Sequence, residues 1–273
     1  MKLATLRTPT GTAAVRVEDG KLVELGYRDV GELLRRGELS AAATMNGREY
    51  PLAGSDLAPV IPEPGKIVCV GLNYRTHILE MGRQLPEHPT LFAKYADALV
   101  GPYDDIALPP ESGAVDWEGE LALIIGATVR RARGETARAA IAGYTVMNDV
   151  TMRDFQYRTS QWLQGKTWEA STPLGPYLVT PEELSQDAWL RTFVDDVEVQ
   201  AAPIADLVFD PVALVEYVST ITTLRPGDII ATGTPGGVGH ARKPSTYLRA
   251  GATVRTRIDG VGEIVNRIVP ETT

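Results

Sequence analysis

The chain carries at residues 115–126 the stretch Val-Asp-Trp-Glu-Gly-Glu-Leu-Ala-Leu-Ile-Ile-Gly. In a β-strand, side chains at positions i, i+2 and i+4 share one face, so Asp116, Glu118 and Glu120 are expected to point the same way. A solvated strand tolerates such a row because water and salt screen the charges. This strand, however, continues into an apolar run typical of a protein interior, where carboxylates are costly unless a cation compensates them. The stretch therefore predicts a buried strand and a divalent cation.

The ligands available for such an ion are oxygens. Glu118 and Glu120 supply two carboxylates, and Asp149, at the end of the apolar stretch 143–149, supplies a third if the two strands run side by side. Alternatively, Asp149 belongs to a turn or caps a helix. Asp116 is a reserve ligand. With one cysteine and three histidines in 273 residues, the composition argues against a zinc site and favours Mg²⁺ or Mn²⁺.

Short strands dominate the sequence around this stretch. Residues 66–72 form a continuous apolar run, which is typical of a strand buried on both faces. Further strands are predicted at 106–108, 120–125, 144–149, 177–179, 191–197, 228–232, 253–258 and 263–269, and helices at 30–36, 134–142 (ended by Gly143) and 211–222. Because strands and helices do not alternate regularly, the pattern predicts a mixed-sheet α+β architecture and not a doubly wound one.

The first 63 residues differ from the rest of the chain. Residues 2–7, 12–18 and 22–25 predict a small antiparallel meander. Residues 52–65 contain several prolines and no periodicity, which is typical of a linker. We therefore expect a small N-terminal domain with its linker at residues 1–63 and a catalytic domain at residues 64–273.

The composition narrows the class of function. The formal net charge is −8, and a field of this sign repels phosphate backbones and anionic lipid headgroups, which disfavours nucleic-acid and membrane partners. A single cysteine cannot form an intramolecular disulfide, the N-terminus turns polar before the core of a signal peptide develops, and no apolar run approaches the length of a membrane span. These features predict a cytoplasmic protein.

Five motifs in collinear order resemble the fumarylacetoacetate hydrolase superfamily, and together they cover roughly residues 64–270. The motifs are the strand at 116–126, Val-Gly-Leu-Asn-Tyr at 70–74 with His77 and Glu80, the segment 143–154, Gly-Lys-Thr at 165–167 leading into Pro-Leu-Gly-Pro at 173–176, and Gly-Asp-Ile-Ile-Ala-Thr-Gly-Thr-Pro at 227–235. The resemblance implies a mixed β-sandwich roll, a homodimer, and Glu118, Glu120 and Asp149 as the metal ligands.

Three further residues are candidates for catalysis. His77 and Glu80 are spaced i, i+3 and are neighbours on one helical turn, so the carboxylate can orient the imidazole as a base that activates water. An ordinary surface ion pair has the same spacing, but the resemblance implies a catalytic pair on a mobile lid. Lys166 is suited to steady an oxyanion or a substrate carboxylate, with an exposed lysine as the alternative. His88 and His240 have no comparable partner and are expected to be structural or exposed.

Other polar groups are candidates for binding the substrate. Arg153, Gln156 and Gln161 follow Asp149, and their planar donors suit carboxylates. The loop that begins with Gly233 and Thr234 offers backbone N–H groups and one hydroxyl to an anionic ligand.

The expected reaction follows from the metal. A divalent ion that binds the keto and carboxylate oxygens of a pyruvate-like unit stabilises the enolate that forms when the adjacent carbon loses its substituent. With His77 and Glu80 both present, we expect hydrolysis of a carbon–carbon bond in an acylpyruvate-like or fumarylpyruvate-like β-diketo acid. The alternatives are decarboxylation or tautomerisation of a 2-keto dicarboxylic acid, such as oxaloacetate or an intermediate of aromatic catabolism, and a catalytically idle metal-binding scaffold.

Overall fold

A computed structural model describes residues 1–271 as eighteen strands and six α-helices. The strands are β1 (Lys2–Thr8), β2 (Gly11–Glu18), β3 (Lys21–Glu24), β4 (Glu49–Pro51), β5 (Ile67–Gly71), β6 (Thr90–Lys94), β7 (Leu99–Val100), β8 (Ile106–Leu108), β9 (Val115–Asp116), β10 (Gly119–Ile125), β11 (Ile141–Asn148), β12 (Thr151–Met152), β13 (Thr172–Val179), β14 (Trp189–Val194), β15 (Val197–Pro203), β16 (Ile229–Ala231), β17 (Thr253–Ile258) and β18 (Gly262–Pro270). The helices are α1 (Val30–Arg35), α2 (Arg75–Glu80), α3 (Gly134–Ala139), α4 (Arg153–Gln156), α5 (Leu163–Lys166) and α6 (Pro211–Ile221).

Two sheets carry the fold. The larger one has the order β4-β3-β2-β1-β13-β11-β10-β16-β5-β6, with β7 added beside β13, and the second has the order β15-β14-β17-β18-β8. Most neighbours are antiparallel, but three pairs are parallel: β16 with β5, β13 with β7, and β18 with β8. This arrangement confirms the predicted mixed-sheet α+β fold.

Strand β10 lies in the middle of the larger sheet, between β11 and β16. All seven of its residues are buried. On one face, Leu121 and Val146 pack against Leu190, Ile258 and Ile264 of the second sheet. Apolar side chains on both faces explain why this strand reads as a continuous hydrophobic run. Burial on both sides also fixes the two strands that carry the acidic residues.

The N-terminal strands form the predicted antiparallel meander. Strand β1 pairs with β13, with Lys2 opposite Val179, so the meander extends the larger sheet. The division of the chain between residues 63 and 64 stays a prediction. In the part of the chain that the structure describes, no helix has the length and apolar character that crossing a membrane requires.

Each predicted strand overlaps an observed one, but the predicted helix at 134–142 is too long. Helix α3 ends at Ala139, and Gly143, expected to end the helix, lies inside β11. The glycine is needed there for close packing, because a Cβ at this position would lie 2.7 Å from Leu178 Cδ2. Strands β4, β6, β7 and β12 have no counterpart among the predicted elements, and the predicted strand at 191–197 reaches β15 only at Val197.

Candidate metal centre and active pocket

The three predicted metal ligands meet at one end of β10 and β11. Glu118 precedes β10, Glu120 lies within it, and Asp149 follows β11, where its backbone N–H donates to the Glu118 carbonyl at 2.8 Å. One carboxylate oxygen of each residue lies within 4.8 Å of the others. The exposed fractions are 7% for Glu118, 1% for Glu120 and 0% for Asp149. The antiparallel pairing of the strands thus assembles a buried acidic cluster.

Two buried lysines contact this cluster. Lys166 Nζ donates to Glu118 Oε2 at 2.6 Å and to Asp149 Oδ2 at 2.7 Å. Lys94 Nζ donates to the other oxygen of Asp149 at 2.7 Å. Sequence reasoning missed Lys94, the last residue of β6 and the only buried one in that strand. A lysine this buried requires a charged partner, but burial at the end of an otherwise partly exposed strand leaves no signal in the sequence.

Arg153 joins the cluster to Asp116. Its guanidinium donates from Nη1 to Glu118 Oε1 at 2.7 Å and from Nε and Nη2 to Asp116 Oδ2 at 2.8 Å. A reserve role for Asp116 as a metal ligand is therefore wrong: β9, which contains it, pairs with β12 and does not continue β10. Gln156 Oε1 accepts a further bond from Arg153 at 2.9 Å.

The charges of the cluster are unevenly compensated. Burial raises the pKa of Glu120 well above its usual range, and the neighbouring Asp149 and Glu118 raise it further. Burial would also raise the pKa of Asp149, but Lys166 and Lys94 outweigh this effect and lower it. Burial would lower the pKa of Lys166, yet Asp149 and Glu118 keep it above its usual value. Lys166 therefore stays protonated. Glu120 favours its protonated form unless a cation lies beside it.

This donor set fits a hard divalent cation. Among the described residues, Glu120 takes part in no ion pair and accepts its hydrogen bond from the backbone N–H of Gly233, at 2.8 Å. Three carboxylates offer oxygen ligands, which Mg²⁺ and Mn²⁺ prefer, and Mg²⁺ keeps several waters in addition to one or two protein carboxylates. The residues that would hold the ion are Glu118, Glu120 and Asp149.

A cavity of about 450 Å³, the active cavity, lies in front of the acidic cluster. Of the predicted site residues, it is lined by Glu118, Glu120, His77, Lys166, Arg153, Gln156 and Thr234. Aromatic residues of its wall are Phe92, Tyr157 and Trp162. The structure thus gathers catalytic and binding candidates from distant parts of the sequence around one space.

Two predicted binding residues lie outside this lining. Gln161 is exposed and is not among the residues that line the cavity. Gly233 donates its N–H to Glu120, so it supports a metal ligand. Thr234 lines the cavity, but its hydroxyl already donates to the Gly119 carbonyl at 2.9 Å and accepts from Gln200 Nε2 at 2.8 Å.

His77 and Glu80 both lie on α2, but the described residues include no hydrogen bond or ion pair between them. His77 lines the active cavity and also a neighbouring cavity of about 540 Å³, and Glu80 lines only the second one. Burial lowers the pKa of His77, and the charges of Glu80 and Glu118 oppose this shift only in part. The imidazole is therefore neutral near pH 7 and able to accept a proton.

His240 also lines the active cavity. It was expected to be structural or exposed, and it is exposed. The signal for its position is its place just after the loop that begins at Gly233, since that loop contacts Glu120.

The fold and the site define a mixed β-sheet protein whose buried Glu-Glu-Asp centre faces a basic cavity. Residues 66–269 match the protein-family model for the C-terminal domain of fumarylacetoacetate (FAA) hydrolase. The match covers well over half of the chain, and the protein belongs to this family.

Individual relatives and solved structures give a finer comparison than the family model. The chain is 42% identical over 247 residues to the mitochondrial oxaloacetate tautomerase Fahd2a of Rattus norvegicus, covering 87% of this chain and 79% of the relative. It resembles the solved structure of fumarylacetoacetate hydrolase from Exiguobacterium antarcticum, with a TM-score of 0.89, 32% identity, and coverage of 99% of this chain and 100% of the other. For 2-hydroxyhepta-2,4-diene-1,7-dioate isomerase from Mycobacterium marinum, the TM-score is 0.82 at 32% identity, with 100% of both chains covered.

These comparisons identify the protein as an enzyme of the family. The named activities of the rat and Mycobacterium marinum relatives are a tautomerisation and an isomerisation. They favour the alternative reading of the sequence over the expected carbon–carbon hydrolysis. Because the rat relative is named as mitochondrial, a cytoplasmic location for this chain stays a prediction.

Proposed function

We propose that the protein is a divalent-metal-dependent tautomerase that interconverts the keto and enol forms of a 2-keto dicarboxylic acid such as oxaloacetate. The observation that carries this proposal is the placement of His77, a neutral base that lines the cavity and is bonded to no carboxylate within residues 1–271. Keto–enol exchange requires one base beside an enolate-stabilising site, whereas hydrolysis also requires a positioned water. The names of the relatives point to the same reaction.

Glu118, Glu120 and Asp149 would hold the ion, which we propose to be Mg²⁺ or Mn²⁺. When bound, the ion supplies positive charge beside the keto oxygen and so favours the enolate. This role is consistent with the acidic cluster and with the uncompensated carboxylate of Glu120.

The side chains of the cavity supply the remaining steps. His77 accepts the proton from the carbon next to the keto group, and the electron pair of that C–H bond becomes the C=C bond of the enol. Lys166, held protonated by two carboxylates, stands beside the developing oxyanion and favours it. His77 then releases the proton it accepted, and protonation of that oxygen completes the enol and restores the neutral imidazole. Arg153 and Gln156 orient the carboxylate next to the keto group.

The test compares three reactions of the purified enzyme with Mg²⁺. For tautomerisation, oxaloacetate is added in its enol form and the decay of its ultraviolet absorbance is followed against the uncatalysed rate. Decarboxylation is measured as pyruvate with lactate dehydrogenase, and hydrolysis as the loss of acetylpyruvate. Acceleration of the first process, abolished by a chelator, supports the proposal. Pyruvate release faster than enol exchange contradicts it, and so does turnover of acetylpyruvate alone.

Inactivity in all three reactions, with metal bound, is the result expected of an idle scaffold. The homodimer implied by the family resemblance stays a prediction, which light scattering of the purified protein tests.

A further inference from the structure

His240 has a fixed position although it is exposed. It lies in the single-turn 3₁₀ helix Gly239–Ala241 and lines the active cavity. Its Nδ1 is 2.9 Å from the hydroxyl of Tyr247, and its ring lies against that of Tyr157 with a centroid distance of 5.2 Å and an interplanar angle of 31°. With Nδ1 occupied and one ring face covered, Nε2 is the polar atom left for a ligand. When Tyr247 donates to Nδ1, the neutral imidazole carries its hydrogen on Nε2.

The backbone ties His240 to the metal side of the cavity. The N–H groups of Gly239 and His240 donate to the two oxygens of Asp116 at 2.7 and 3.0 Å. The same carboxylate accepts from Arg153 Nε at 2.8 Å. His240 is therefore held at a set distance from Arg153, which the proposed function assigns to the carboxylate next to the keto group.

A count of charges shows why a second binding group is needed. The buried site contains four carboxylates and three cations, namely Asp116, Glu118, Glu120 and Asp149 with Lys94, Arg153 and Lys166. With all four carboxylates ionised and a divalent ion bound, the net charge of the site would be one positive. That charge matches one substrate carboxylate, but a 2-keto dicarboxylic acid carries two at neutral pH. The far carboxylate requires donors outside the buried site.

Two residues of the cavity wall meet this requirement. Besides His240, the wall contains Arg83, which takes part in none of the ion pairs within residues 1–271. By contrast, Lys166 and Arg153 each contact two carboxylates of the protein. Within residues 1–271, the side chains of His240 and Arg83 pair with no protein carboxylate, so both can bind the far carboxylate of the substrate, while Arg153 and Lys166 act at its keto end.

We infer that His240, assisted by Arg83, forms a second carboxylate subsite that selects dianionic 2-keto acids over monoanionic ones. The inference rests on the proposed function for the identity of the ligand class. It makes His240 a specificity residue, in contrast to the structural or merely exposed role that the sequence indicates.

Calorimetric titration of the Mg²⁺-loaded full-length enzyme tests the subsite with two stable 2-keto acids. Pyruvate carries one carboxylate and 2-oxoglutarate carries two. A hydrogen bond to a charged group is worth about 1.5–3 kcal/mol, so we expect 2-oxoglutarate to bind about 10- to 100-fold more tightly than pyruvate. His240→Phe keeps a ring beside Tyr157 but removes the Nε2 donor. We expect it to weaken 2-oxoglutarate binding by about tenfold or more while pyruvate binding changes by less than about twofold.

His88→Phe is a matched control, since His88 also stacks on a tyrosine, Tyr217, at a centroid distance of 6.0 Å, but does not line the active cavity. We expect it to keep the wild-type preference. Equal affinities of the wild type for the two acids overturn the inference, as does an equal loss of both affinities in His240→Phe. The oxaloacetate assay is read separately. Selective binding without enol exchange removes the proposed function and leaves the subsite standing, and enol exchange without selective binding does the reverse.

Discussion

The two walls of the active cavity differ in how firmly folding fixes them. The inner wall, formed by Glu118, Glu120 and Lys166 and backed by Asp149 and Lys94, is buried, and its acidic residues lie at the centre of the larger sheet. The outer wall, formed by His77, Arg83 and His240, lies on one short helix and on loops. Leu79, which lies on the same helix as His77, is 55% exposed. The charges required for the chemistry are therefore assembled in the buried sheet, whereas the base and the selective donors lie on short, more exposed segments that individual hydrogen bonds and ring contacts hold in place.

Asp149→Asn is expected to disrupt the inner wall most. Both lysines contact this carboxylate, and the substitution leaves two buried ammonium groups with weakened partners. Removing one partner of a buried ion pair costs about 3–5 kcal/mol. We expect a loss of this size in the free energy of unfolding, measured by urea denaturation, together with loss of enol exchange. Unchanged stability would falsify the role assigned to the two lysines.

Glu120→Gln separates metal binding from folding in the same wall. In the described residues Glu120 pairs with no cation, and an amide can still accept the N–H of Gly233. We expect Mg²⁺ affinity to fall by about 100-fold or more, since one of three charged ligands is lost, and enol exchange to fall with it. The stability of the metal-free protein is expected to change by less than about 1 kcal/mol. Calorimetric titration with Mg²⁺ measures the first effect and urea denaturation the second. A variant that binds Mg²⁺ normally contradicts the ligand set.

His77→Gln tests the outer wall alone. A positioned general base contributes about 10²–10⁴-fold to a rate, so we expect kcat for oxaloacetate to fall by that factor. Metal affinity is expected to stay within about twofold, because no metal ligand is altered. His88→Gln provides the control, since it removes a histidine that does not line the active cavity. Equal losses of metal in His77→Gln and Glu120→Gln would contradict the division between the walls.

The pH dependence of the reaction gives the smallest expected effect. The base acts when its imidazole is neutral, and burial lowers the pKa of His77 below its usual value, while Glu80 and Glu118 oppose the shift and Arg83 adds to it. The base is therefore active above that pKa and is lost as the pH falls through it. We expect kcat/KM to be flat near pH 7 and to decline only below about pH 6.5. Bound Mg²⁺, measured at each pH, separates this decline from loss of the ion. A decline that begins above pH 7 contradicts a neutral His77.

The inner wall was largely predictable from sequence. The period of two in the strand at 115–126 indicated Asp116, Glu118 and Glu120 as one acidic row, the end of a second apolar strand left Asp149 open between a ligand and a cap, and the family resemblance implied the set Glu118, Glu120 and Asp149. Strand pairing then brought the three together without further information. Lys94 could not be found in this way, because its partner is 55 residues away in sequence and neither the strand nor its neighbours could be aligned by periodicity alone.

The outer wall was predicted less well, for a physical reason. The i, i+3 spacing of His77 and Glu80 correctly indicates a helical turn, but the fold decides which cavity each side chain faces. The chain bends after β9, so Asp116 turns to Arg153 and does not extend the row of ligands. Gln161, expected to bind the substrate, lies outside the cavity lining, whereas His240, expected to be structural or exposed, is part of that lining. Loops are positioned by tertiary contacts, which leave no local periodicity in the sequence.

The contacts of Lys94 and Lys166 with Asp149 also bear on whether the protein folds before it binds the proposed ion. Because these ammonium groups offset part of the acidic charge, we expect the polypeptide to fold without a metal. Removal of a bound divalent ion should then leave a folded apoprotein that regains activity when the ion is added back. Reconstitution of one protein batch with Mg²⁺ and with Mn²⁺ in turn thus compares the activity that each ion supports.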